Sequence, residues 1–176
     1  YTKVSRYQKL ANENLVQIYL QSKQLDSLYQ LTSTWDDLYE VDEKNEFYQQ
    51  YVQISEEAQQ PELVKKWLQR ISVNNHLSPI VQQIVIGAEA ELKYAQLLYQ
   101  EKKHAELDEL LDKTLIRKVV PTNIRTKKTY FRGLLLYADN LMAIDQKDKA
   151  MGYYMALAKN MTKENDVRNL AKSRLK

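Results

Sequence analysis

Four times along the chain, two apolar or small residues stand twelve positions apart across a short polar turn: Val16 and Leu28, Tyr51 and Leu63, Ala95 and Leu107, Ala138 and Ala150. The turns between them are read at 21–24, 56–60, 100–103 and 145–147. A helix that ends in an apolar cluster, turns over a few polar residues and opens a second helix on a small or aliphatic residue makes an antiparallel helix pair. One such pair cannot bury both of its apolar faces, so successive pairs must stack and share a core. Three Gly and three Pro in 176 residues leave few breaks, and the abundant Leu, Gln, Lys, Glu and Ala lose little entropy in a helix. The chain reads as helix almost throughout, in one domain or one contiguous array over residues 1–176.

This pattern resembles the tetratricopeptide repeat. In the last unit Ala138 matches the small residue of that family's first helix, Leu141 the large residue one turn later, Ala150 the small residue opening the second helix and Tyr154 the aromatic after it. The third unit follows through Ala95, Leu98, Leu107 and Leu111, and the second through Tyr51, Ile54, Leu63 and Trp67; the first unit matches least. The intervals between first anchors, 35, 44 and 43 residues, exceed the family's ~34, so two units carry longer helices or loops. The family's early Trp and Gly and its closing Pro are not found here. The resemblance implies an all-α, right-handed α-solenoid of about four helix pairs that binds protein or peptide and needs no cofactor.

Punctuation supports these divisions. Gln60-Pro61 opens a helix carrying Leu63, Trp67, Leu68 and Ile71, because Pro fits the first helical turn. Ser78-Pro79 is read as an N-cap and first helical residue, followed by the apolar spacing Ile80, Ile84, Ala88, Leu92 and Ala95. Val119-Val120-Pro121-Thr122 separates the third unit from the fourth. Thr162 is placed as the cap of a final helix whose face Val167, Leu170, Ala171 and Leu175 lacks a following partner, so that helix is either a cap or the start of a further pair. With no initiating Met and an abrupt end at Lys176, the chain reads as a piece of a longer one.

Several classes of chemistry find no support. Cysteine is absent, which excludes thiolate metal sites and a cysteine nucleophile yet suits either cytoplasm or an oxidising periplasm. No apolar run approaches the roughly 20 residues that cross a bilayer. Glu101-Lys-Lys-His104 matches half of a di-iron element, but the second copy is missing; it and His76 are read as surface residues. Gly87, Gly133 and Gly152 stand singly inside helical patterns, where close helix packing is the expected role. Asp36-Asp37 and Asp42-Glu43 lack the turn and closing Glu of a calcium loop and are read as solvated. Tyr51, Trp67, Tyr137 and Tyr154 are assigned to the core.

Charge is the most informative remaining feature. The net +3 hides an uneven distribution. Residues 25–60 hold nine acids against the single base Lys44, whereas 113–138 hold seven bases and no acid. Arg125, Lys128 and Arg132 share a narrow arc of one helix, opposite Leu134, Tyr137 and Leu141. They are the candidate partner-binding residues, able to grip acidic groups through charge-assisted bonds; the alternative is an ordinary solvated face. One interval earlier the equivalents are Gln82, Val85 and Glu89, so the basic face is not continued. Lys127-Lys-Thr-Tyr-Phe-Arg132 could stack on single-stranded nucleic acid, but the acidic first third argues against it. The expectation is a scaffold or adaptor of bacterial character, judged by its Lys, Asn, Gln and Tyr usage, that is not itself an enzyme. The alternative is the helical superstructure of an enzyme whose catalytic domain lies outside this chain.

Overall fold

In the computed structural model the described residues are 3–35, 38–75, 81–112, 128–161 and 164–176, and they form nine α-helices with no strand. In order these are α1 (Lys3–Gln21), α2 (Leu25–Leu31), α3 (Val41–Glu57), α4 (Pro61–Asn75), α5 (Val81–Gln100), α6 (His104–Leu111), α7 (Lys128–Ala143), α8 (Lys147–Ala156) and α9 (Asn165–Arg174). A 3-10 turn, Thr32–Thr34, follows α2, and a π turn, Leu157–Met161, follows α8. The chain divides into two compact units, Tyr1–Ile84 and Val85–Lys176.

One turn recurs across four helix junctions. At 22–24, 58–60, 101–103 and 144–146 the middle residue is left-handed: Lys23, Gln59, Lys102 and Asp145, with φ of 58°, 55°, 59° and 64°. The third residue's N–H reaches back five positions, from Gln24 to the Tyr19 carbonyl at 2.8 Å, Gln60 to Ser55 at 2.9 Å, Lys103 to Leu98 at 2.9 Å and Gln146 to Leu141 at 2.8 Å. The middle N–H closes the inner bond, as from Lys23 to Leu20 at 3.2 Å. These are Schellman closures, which satisfy carbonyls that a helix end leaves open. The carbonyl of the third residue then accepts the first bond of the next helix, as from Leu28 to Gln24 at 3.0 Å.

All eight anchors read from the sequence are buried, but the second pair is out of register. Because α3 runs on to Glu57, its turn is three residues long and not five, and Gln53 Nε2 donates to Glu57 Oε1 at 3.0 Å within the helix end. Counting from the turns, the equivalents of Val16 and Leu28 are Val52 and Val64, one position beyond Tyr51 and Leu63. The slip escapes notice because both positions of each pair are buried.

The first unit has an aromatic core. Trp35 sits 4.6 Å from Tyr39, 5.3 Å from Phe47 and 6.4 Å from Tyr48, measured between ring centres. Trp67, fully buried on α4, meets Tyr29 at 4.8 Å, Tyr51 at 5.1 Å and Tyr48 at 5.4 Å. The α3 entry is fixed by Glu43, whose carboxylate accepts the Glu40 N–H at 2.9 Å and pairs with Lys9 of α1 at 3.2 Å. Glu43 is therefore not simply solvated; the bond from Glu40 first, and Lys9 with it, holds its carboxyl below the ordinary range. Lys44, the one base in the acidic stretch, is buried. Asp36, Asp37, His76 and the Ser78-Pro79 cap lie outside the described residues.

The second unit is centred on α7, whose Leu134, Tyr137, Ala138 and Leu141 are buried. Val167 and Ala171 of α9 are buried as well, so the face expected to be bare is covered, with only Leu170 left half exposed. That helix starts at Asn165, with Glu164 at its cap position; Thr162 lies outside the described residues. Asp166 in its first turn and Lys172 and Arg174 in its last suit the helix dipole. Gly133 is buried as expected, but Gly152 is not a packing glycine: it is exposed, and a methyl group there would meet nothing within 4 Å.

Two substitutions on α8 test this packing in opposite directions. Gly152→Ala should raise unfolding stability by roughly 0.5–1 kcal/mol, the helix-propensity difference without a steric term. Ala150→Leu, at a fully buried position, should lower it by roughly 1–3 kcal/mol through overpacking. Denaturant unfolding reads both; an unchanged midpoint for Ala150→Leu means the α7/α8 packing is misassigned.

Candidate functional site

Of the three candidate partner-binding residues, Lys128 and Arg132 lie on the first turns of α7 and Arg125 lies outside the described residues. Lys128 and Arg132 are half exposed, yet neither is an unmatched cation. Lys128 Nζ stands 3.0 Å from Asp166 Oδ2, and Arg132 Nη2 donates to the same oxygen at 3.0 Å. Glu164 adds a longer contact to Lys128 at 3.9 Å. No acid is near them in sequence, but the fold brings one from α9. The bond from Lys128 first, and that from Arg132 second, holds the Asp166 carboxyl at about 2.

A second clip lies further along α7. Asp139 Oδ1 accepts from Tyr154 of α8 at 2.6 Å and from Arg174 Nε of α9 at 3.1 Å. Burial first, and this bond second, raises the Tyr154 phenol, while the Asp139 carboxylate raises Arg174. Asn140, fully buried, exchanges two bonds with α6: its Oδ1 lies 2.9 Å from His104 Nδ1, and its Nδ2 donates to the His104 carbonyl at 3.1 Å. His104, expected as a surface residue of a turn, is instead the half-buried first residue of α6 and a link between two helices. Among the described residues no group of three His, Cys, Asp or Glu could hold a metal ion, and no helix is long and apolar enough to cross a membrane. In the basic aromatic segment Phe131 is buried and Tyr130 rests on it at 5.6 Å, which withdraws Phe131 from base stacking.

A groove in the first unit has no signal in the residue pattern. Tyr29 of α2, Ser33 of the 3-10 turn, Tyr48 of α3 and Arg70, Val73 and Asn74 of α4 line a space of about 340 Å³. The Arg70 guanidinium lies 3.7 Å from the centre of the Tyr29 ring. Its Nη1 donates to the Tyr29 carbonyl at 3.2 Å and to the Thr32 hydroxyl, and its Nη2 to Ser33 Oγ at 2.7 Å. All three acceptors are neutral. Arg70 and Tyr29 are 41 positions apart, and only the placement of Arg70 one turn after Trp67, beside the apolar face, hinted at a role.

No protein-family model, curated protein or solved structure matches this chain.

The Asp166 clip sets a pH dependence whose sign is fixed. A carboxyl held below its ordinary 3.8 contributes stability that is full above that value and is lost as pH falls from there through about 2. A carbon-detected titration of Asp166 should give a midpoint near the lower value in the wild type. In Lys128→Gln, or in high salt, the midpoint should move up toward 3.8. A midpoint that ignores both changes would falsify the clip.

Proposed function

We propose that this chain is a protein–protein interaction scaffold, built as a tetratricopeptide-like solenoid of helix pairs that docks another polypeptide within a larger assembly. One observation carries the reading. The left-handed turn residues, at 23, 59, 102 and 145, follow one another at intervals of 36, 43 and 43. On either side of every turn a buried residue stands at the same offset: Val16 and Leu28, Val52 and Val64, Ala95 and Leu107, Ala138 and Ala150. Equal turns with equal buried flanks are what successive pairs need in order to offer one another the same face. A stack of that kind presents extended surface, and extended surface is suited to polypeptide ligands.

The basic end of α7 is the partner-binding candidate, and its test has to allow for the bonds to Asp166. Charge reversal would set new acids against Asp166 and Glu164 and loosen α9, mixing a folding effect with a binding one. Neutral replacement also removes the pairs, but it sets no like charge against Asp166 and Glu164, and circular dichroism of the variant shows whether the fold is kept. Proteins captured on the full chain are purified and returned to it in a titration; a scaffold gives saturable binding with at least one. The combined Arg125→Gln, Lys128→Gln, Arg132→Gln variant should then associate more slowly at low salt and lose part of the salt dependence of its rate. Wild-type association by the variant would confine Lys128 and Arg132 to holding α9, and failure of every captured protein to rebind would sink the scaffold reading.

A further inference from the structure

We propose that the Arg70 groove of the first unit binds a carboxylate, supplied by an Asp or Glu side chain of a partner polypeptide. The structural duty of Arg70 is plain: its three bonds tie the end of α2 and the 3-10 turn to α4. Those bonds use three of the five N–H donors that a guanidinium carries. The other two have no protein acceptor among the described residues, and no carboxylate among them pairs with this cation. A carbonyl and two hydroxyls solvate the charge without neutralising it. One full positive charge is thus held half-buried over the Tyr29 ring, with donors to spare. Holding the guanidinium in place beforehand removes much of the ordering entropy that an arginine ordinarily loses on binding.

Charge count and size narrow the ligand. The lining holds one cation and no acid, so a monoanion is matched where a phosphate dianion would carry a second charge into a unit already rich in acids across 25–60. A volume of about 340 Å³ falls at the small end of ligand sites and suits one side chain. Val73, 58% exposed at the rim, offers apolar contact to the methylenes behind the carboxylate, and the Asn74 amide, which gives one bond to Asn45 at 3.1 Å, keeps further polar capacity. Taking the acid from a polypeptide rests on the scaffold reading above; the carboxylate chemistry rests on the groove alone.

The test follows the Arg70 Nε–H resonance of the full chain by NMR. The probes are the blocked tripeptides acetyl-Ala-Glu-Ala-amide and acetyl-Ala-Gln-Ala-amide, sodium acetate and inorganic phosphate. The Glu peptide should shift the signal saturably, with an affinity on the order of millimolar for a single side chain. The Gln peptide should leave it unmoved, and acetate and phosphate should bind more weakly than the Glu peptide. Since Arg70 also supports α2, the decisive variant is Val73→Glu, which places an acid at the groove rim without touching the Arg70 bonds. It should keep the fold and weaken Glu-peptide binding about tenfold or more. An unmoved Arg70 signal, tighter binding of acetate or phosphate than of the peptide, or wild-type affinity in Val73→Glu each overturns the proposal. A chain that rebinds a captured protein while Arg70 stays unmoved loses the groove and keeps the scaffold.

Discussion

The backbone turn at 22–24, 58–60, 101–103 and 144–146 is the constraint on which the rest of the structure depends, and it is held against a local preference. Left-handed conformation costs a residue with a Cβ roughly 1–2 kcal/mol, and the four positions carry Lys, Gln, Lys and Asp instead of Gly. The Schellman bonds satisfy carbonyls but do not remove that strain. Fully burying a Val or Leu side chain contributes about 1.5–3 kcal/mol, so in the first three hairpins the larger buried flanks, Val16 with Leu28, Val52 with Val64 and Leu107 with Ala95, outweigh one strained residue. In the fourth, Ala138 and Ala150 bury little area themselves. Their small size lets α7 and α8 approach, and Leu141, Tyr154 and Leu157 supply the burial. Tertiary packing, not turn chemistry, keeps these turns.

That explains which parts of the fold could be read in the residues. Helix content, the start at Pro61, the buried anchors and the core roles of Tyr51, Trp67, Tyr137 and Tyr154 all follow from local composition and spacing, and the structure has them. The turn centres did not announce themselves, since Lys23, Gln59, Lys102 and Asp145 carry no glycine signal. The one-residue slip in the second pair has the same origin: Tyr51 and Val52 are both buried, and only the turn geometry distinguishes them. Charge was legible as a pattern but not as pairs. Arg132 meets Asp166 across 34 positions, His104 meets Asn140 across 36, and Arg70 meets Ser33 across 37. Such partners are set by how helices stack, which periodicity within a helix does not encode.

The basic segment of α7 shows how the fold changes the meaning of a charge cluster. Lys128 and Arg132 stand on an amphipathic helix, as their spacing implies, but both converge on one oxygen of Asp166. Exposed pairs of this kind are each worth little. Their joint effect is positional, because α9 packs only Val167 and Ala171 fully against the unit while its Leu170 stays half exposed. Asp139 repeats the device nearer the other end of α9 through Arg174. The result is a helix located by charge at both ends and by two buried apolar residues between them.

The two units differ in how their aromatic residues treat polar atoms, and the difference bears on where ligands can act. In the second, Tyr154 gives its hydroxyl to Asp139 and Tyr94 gives its own to Glu106 at 2.8 Å. In the first, Trp35 Nε1, Trp67 Nε1 and the Tyr51 hydroxyl are buried with no hydrogen-bond partner among the described residues. That core is held by ring area and edge contacts, which are less directional than hydrogen bonds. Arg70 stands at its margin, 5.5 Å from the Trp67 ring, and its bonds tie the end of α2 directionally to α4. A group that engages Arg70 therefore acts on the point where the least polar-specified core is fixed.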